Sequence, residues 1–464
     1  MSSRRDFLKN SGLVVMGGAA GFMSVDKFAQ GYDFYGKGDP QDKKIADRPQ
    51  APTLVTIFLR GGADCLNMVA PFGDDLYHKY RPTIGLRGDS KNGGEKGCIP
   101  IYDKAYFGIN VGMGSLVPLI EKGKCVPILN VGSTDGTRSH FSAQDYMERG
   151  VPGNTLVSTG WLNRYLEATR RSTDAPLRGL SAQTLLPRAL RGNYPVLAGS
   201  NNTIEMDLFS ELYNSQDMVG ATAREGVAME KGSQLEGFKP AMARTTVRQP
   251  INADETRDII AASGSAAVER IRALEKAGQT ANDANYPNGG LAGQLSAIAR
   301  VIKANVGLEV AQADYGGWDM HSDEGGAKGG RMASTAGHLS ECINAFVEDL
   351  GPRMKKVMVL VMTEFGRTVH ENGAKGTDHG RGSLMFAIGN NLNGDGKRPF
   401  GTWKGMQDMD GGRFCPVHTD FRAVFAESLI KMFGIDPFAM NIFPGYKPAA
   451  GAYLDFAKQL KVEA

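Results

Sequence analysis

Five apolar runs, each bounded by a polar, glycine-bearing loop, restrict the fold of this 464-residue chain more than any other feature. Leu54 to Leu59 ends in Arg60-Gly61-Gly62-Ala63-Asp64, and Val126 to Val131 ends in Gly132-Ser133-Thr134. Leu308 to Ala313 leads into Asp314-Tyr315-Gly316-Gly317-Trp318-Asp319, and Val357 to Met362 into Thr363-Glu364-Phe365-Gly366-Arg367. The fifth run, Ser383 to Ile388, instead follows Asp378-His379-Gly380. Uninterrupted apolar runs of this length suit strands covered on both faces. Helical periodicity lies between them. Leu291, Leu295, Ile298 and Ile302 form a stripe over 291–304, and His338, Cys342, Ala345 and Phe346 form another over 333–350. A last helix is expected over 420–433, capped by Thr419 or Asp420 and closed by Gly434. Alternating strands and helices predict an α/β fold, a mainly parallel sheet flanked by helices. Ligands of such sheets bind beyond the carboxyl ends of the strands, where four of the five polar loops fall.

The stretch 153–288 breaks this rhythm. It is rich in Ser, Thr, Gln and Ala, lacks a long apolar run and offers one helix, 254–277, so it reads as a mostly helical insertion or cap. At the N-terminus, Ser3-Arg4-Arg5-Asp6-Phe7-Leu8-Lys9 precedes a glycine-rich apolar stretch, Leu13 to Met23, too short to span a bilayer. Paired arginines followed by Phe-Leu-Lys have the pattern of a twin-arginine signal. Residues 1–30 are therefore expected to be a signal segment, 31–52 a polar linker and 53–464 one α/β domain. The expected partner is the twin-arginine translocation machinery, and the expected location is the periplasm or cell envelope. Cleavage after Ala29 and an uncleaved anchor both stay open, because Lys27 fits a small-x-small site poorly. The membrane would be touched only through an uncleaved signal.

Composition narrows the function classes. A net charge of +3 gives no electrostatic reason to expect nucleic acid as a partner. Five cysteines, Cys65, Cys98, Cys125, Cys342 and Cys415, include no CxxC pair and form neither a disulfide framework nor a zinc ribbon.

Acids and imidazoles recur at the strand ends. Asp64 follows the first run, Asp319 and His321 follow the third, and Glu364, Asp378 and His379 follow the fourth. Carboxylate and imidazole ligands together suit zinc, manganese or similar divalent ions. Any single Asp-His pair is better explained by a helix cap or a surface ion pair; several at one end of one sheet bring a shared site level with that explanation. After the second run comes Arg138-Ser139-His140. Ser139 can be a nucleophile activated at a helix start, with Arg138 and His140 as anion-binding neighbours, or simply a helix cap.

Arg60-Gly61-Gly62-Ala63-Asp64, Arg138-Ser139-His140-Phe141-Ser142-Ala143-Gln144-Asp145, Gly317-Trp318-Asp319-Met320-His321, Thr363-Glu364-Phe365-Gly366-Arg367 and Thr377-Asp378-His379-Gly380 occur in this order. In this they resemble an uncharacterised group of twin-arginine-exported bacterial proteins, domain of unknown function 1501. That group is similar to sulfatases and alkaline phosphatases. The resemblance implies an alkaline-phosphatase/sulfatase-like fold in which a hydroxyl, Ser139, lies beside divalent ions. It implies Asp64, Asp319, His321 and His379 as metal ligands, and Arg138 or Arg367 as the binder of ester oxygens. The chain departs from the superfamily where Glu364-Phe365 stands in place of Asp-His. That departure leaves open a single ion, Asp378 as a substitute ligand, or an inactive site. Zinc, manganese, calcium and magnesium are all admissible ions. The function implied is metal-dependent hydrolysis of a small phosphate or sulfate ester. The alternative is a non-catalytic descendant that binds an anionic ligand, an envelope glycan or a partner protein.

Overall fold

The computed structural model describes residues 50–88, 97–102, 106–171, 177–199 and 276–460, with positions 14–15, 175 and 273. Apart from a small three-stranded sheet of Val69–Ala70, Cys98–Pro100 and Gly108–Asn110, its main strands are β1 (Thr53–Leu59), β2 (Cys125–Gly132), β3 (Gly179–Ser181), β4 (Leu197–Ala198), β5 (Val310–Tyr315), β6 (Val357–Thr363), β7 (Ser383–Gly389) and β8 (Thr419–Asp420). They form one sheet in the order β4-β3-β5-β1-β6-β7-β2-β8, and Val14–Val15 pair antiparallel with the outer side of β4. Among the eight strands the pairing is parallel everywhere except at β7, which runs against both β6 and β2. The helices that flank the sheet are α1 (His140–Arg149), α2 (Trp161–Ala168), α3 (Gly290–Lys303), α4 (Arg331–Leu350) and α5 (Phe421–Phe433).

Why the central strands are apolar at every position follows from their two faces. Val55, Ile57 and Leu59 of β1 and Val357, Val359 and Val361 of β6 join one core with Leu291, Leu295 and Ile298 of α3 and Leu339, Ile343 and Phe346 of α4. The alternate residues, Leu54 and Phe58 with Met358, Leu360 and Met362, join a second core with Leu162 and Leu166 of α2 and Phe421, Phe425 and Leu429 of α5. Trp161 stacks on Phe425 in this second core, ring centroids 4.5 Å apart. Burying one such side chain is worth roughly 1.5–3 kcal/mol, so selection for apolar residues acts on both faces and the usual alternation disappears.

The α/β fold and its largely parallel sheet match the expectation from sequence. Part of 153–288 is not a cap, because Gly179–Ser181 and Leu197–Ala198 enter the sheet as β3 and β4 and α2 packs into the second core. The remainder of that stretch, including most of the helix expected over 254–277, lies outside the described residues, as do nearly all of the signal segment and linker. Among the described residues no helix is long and apolar enough to cross a membrane.

The reversal of β7 has a direct effect on what gathers at one edge. The connection 364–382 leaves the carboxyl end of β6 and returns to the amino end of β7, which lies at the same edge of the sheet. Asp378 and His379 thus join the loops that follow β1, β2 and β5.

Candidate functional site

Side chains from these loops converge tightly. His140 is the first residue of α1 and His379 precedes β7, yet their Nε2 atoms stand 2.9 Å apart. His321 Nε2 lies 3.0 Å from His379 Nε2 and 2.9 Å from Asp319 Oδ1. Asp319 also reaches the other two rings, Oδ1 at 3.4 Å from His379 Nε2 and Oδ2 at 3.5 Å from His140 Nε2. Gly61 allows the loop after β1 to run against Asp319: its φ is +123°, and a Cβ there would sit 2.5 Å from the Asp319 backbone nitrogen.

The far nitrogen of each ring is held from behind. His140 Nδ1 donates to Glu364 Oε1 at 2.8 Å, His321 Nδ1 to Asp378 Oδ1 at 3.1 Å, and His379 Nδ1 to the Arg138 carbonyl at 2.8 Å. A carbonyl or an ionised carboxylate only accepts, so these partners place the proton of each neutral ring on Nδ1. Three Nε2 lone pairs then point toward one another and toward a carboxylate. Such a set is repulsive until a cation, either a proton or a metal ion, sits among them. Ligand atoms around a tetrahedral ion with bonds of about 2.0–2.1 Å stand about 3.3–3.4 Å apart, close to the spacing here. The His140, Asp319 and His379 ligand atoms all lie within 4.8 Å of one another, and His321 flanks the Asp319 and His379 side of that group.

The electrostatics follow from these contacts. Burial opposes ionisation of Glu364, but hydrogen bonds from His140, Gln144 and the Gly61 N–H outweigh it and hold its carboxyl below the usual range. The same bond to Glu364, partly offset by burial, raises His140. His379 is lowered, chiefly by burial, against the opposing bond to the Arg138 carbonyl and with the Arg367 charge adding to the shift. Asp319 is partly desolvated, yet Arg367, 2.5 Å away, keeps it below the ordinary carboxylate range. Asp378 is also lowered: slight desolvation is overcome by hydrogen bonds from His321 and Asn372.

A family model described as Protein of unknown function (DUF1501) matches residues 132–439, well over half of the chain. The protein belongs to the DUF1501 family. No curated protein and no solved structure matches it. The matched part of this DUF1501 chain contains every converging group just described, whereas Asp64 precedes it.

Asp319, His321 and His379, nominated from sequence as ligands, do come together. Glu364 and Asp378 do not reach the centre with them; their carboxylates are taken up in orienting His140 and His321. Asp64 is buried elsewhere, both oxygens paired with Arg81. Arg367 is also unavailable to a ligand. Its buried guanidinium donates to the carbonyls of Gly61, Gly62, Thr377 and Trp318 and to Asp319, so it fixes loops. Ser139 occupies the N-cap position of α1 without making a side-chain cap bond, and it is exposed. Arg138 is exposed and, with His321, Asp378, His379 and Arg413, lines an open cavity of about 330 Å³.

Sequence reasoning gave His140 only an anion-binding part. The signal that could have promoted it is its place, an imidazole at a strand-to-helix junction like the other site groups. Phe365, in the loop that follows β6, packs its ring against His140 at 4.8 Å and His379 at 5.2 Å. The centre thus has three imidazoles without a histidine at 365.

Proposed function

We propose that this DUF1501 protein is an exported, metal-dependent hydrolase of phosphate or sulfate esters. The observation that carries the reading is the convergence of three imidazole Nε2 atoms on Asp319, each ring anchored through its Nδ1. His140, Asp319, His321 and His379 would hold a single divalent ion. Three imidazoles favour zinc, manganese or a related transition ion over calcium and magnesium, which take oxygen ligands. When bound, the ion supplies a Lewis acid for an ester oxygen. Ser139, adjacent to His140 and uncommitted as a cap, would offer its hydroxyl as nucleophile at the start of α1, where the helix dipole favours negative charge. Arg138 would face the anionic group from the cavity wall, and Arg367 would keep Asp319 ionised and aimed. The Arg4-Arg5 segment supports export by the twin-arginine route into the periplasm.

The test combines metal analysis with hydrolysis of aryl phosphate and aryl sulfate by the purified protein. The wild type should carry a stoichiometric transition ion and release the phenol. Ser139→Ala should retain the ion and lose about 100-fold or more of the rate, whereas His379→Ala should lose both. Full activity in Ser139→Ala would remove the serine from its role. Absence of metal and of turnover after metal-replete expression would leave the non-catalytic, ligand-binding reading in its place.

A further inference from the structure

Among the described residues, two arginines at the cavity have no acid within ion-pair distance. Other arginines nearby in the chain are committed: Arg367 to Asp319 and four carbonyls, Arg381 to Asp410 and Arg422 to Asp420. Arg138 and Arg413 are exposed, line the cavity with His379, and among the described residues have no carboxylate within ion-pair distance. Their guanidiniums lie 5.2 and 5.3 Å from the centroid of the same ring, Phe414. The pull of one exposed aromatic ring on two like charges is weak, too little to explain leaving both without an ion-pair partner.

Both arginines stand on backbone that is itself part of the site. The carbonyl of Arg138 accepts from His379 Nδ1, so its side chain departs from the segment that orients a converging imidazole. The carbonyl of Arg413 accepts from Val369 N at 2.9 Å, and Thr368 and Phe414 form a bridge, which ties that turn to the 364–382 connection. Among the described residues the only acid in the cavity wall is Asp378; it is bonded to His321 and Asn372, and Arg413 acts on it only from beyond ion-pair distance.

We infer that Arg138 and Arg413, held by Phe414, form a two-pronged recognition site for the terminal oxygens of the substrate's anionic group. This rests on the hydrolase reading given above. It also narrows the substrate. A phosphate or sulfate monoester presents three terminal oxygens, enough for the converging centre and two guanidinium forks together. A diester presents two, with a second substituent where the third oxygen would lie. Arg413, which no other role accounts for, is thus a specificity-determining residue that favours monoesters.

Titration calorimetry with inorganic phosphate and with sulfate, on metal-replete protein, tests this without turnover. The wild type should bind one of the two anions. Arg413→Gln and Arg138→Gln should each weaken it about tenfold while the metal content stays unchanged, and Arg413→Lys should recover only part of the loss because a point charge replaces a fork. In kinetics, Arg413→Gln should lower kcat/KM for an aryl monoester about tenfold and for a bis-aryl diester by a smaller factor. Equal anion affinity in wild type and both variants, or no anion binding by the wild type, overturns the recognition site. Anion binding that depends on both arginines, with no hydrolysis of any ester, overturns the hydrolase reading and leaves the recognition site standing.

Discussion

Glu364 shows how a residue can serve a centre it does not touch. Its buried carboxylate holds His140 through Nδ1 and is itself held by Gln144 and the Gly61 N–H. Removing such an outer partner typically weakens a metal site 10- to 100-fold, so Glu364→Gln should lower zinc affinity by about that factor in a chelator competition. The same residue carries a pH signature. Its folded pKa is depressed, so ionised Glu364 stabilises the fold at every pH above the ordinary carboxylate range, and the contribution fades as pH falls through the depressed folded value. The stability gap between wild type and Glu364→Gln, from denaturant titrations, should grow as pH falls through the histidine range, because Glu364 also raises His140, and then close in stronger acid. A gap that persisted below the carboxylate range would contradict the assignment. Which acid does what was only partly legible in the sequence. Asp319, His321 and His379 could be nominated because strand-end loops are where such groups collect. The role of Asp64 was hidden because its partner, Arg81, gives no local sign of pairing with it.

At the scale of elements, α1 turns a polar stripe toward the site. His140, Gln144 and Glu148, spaced by four, bond respectively to Glu364, Glu364 and Arg60. The loop after β1 is the tightest approach to this group. Gly61→Ala combines an unfavourable φ, costing about 1–3 kcal/mol, with a backbone collision at Asp319. It should lower both melting temperature and metal occupancy, whereas Gly136→Ala, with open space around its Cβ position, should change neither. The long strands were legible because burial on both faces leaves an unbroken apolar run. The direction of β7 was not, since an apolar run reads the same either way along the sheet. Nor were β3 and β4, whose two or three residues are too few to show a period.

For the molecule as a whole, the centre draws on chain positions from His140 to His379, so it exists only once the sheet has closed. A ligand that binds only the closed form stabilises it by about 4 kcal/mol at a thousandfold excess over its dissociation constant. Zinc or manganese should therefore raise the unfolding temperature by several degrees, a chelator should reverse the gain, and His379→Ala should show neither response. The return of β7 alongside β6 has a mechanical corollary. Both stems of the segment bearing Glu364 and His379 are laced into adjacent strands, so these side chains ride with the sheet as one stiff frame, and any adjustment to a ligand falls to the outer wall around Arg138 and Arg413.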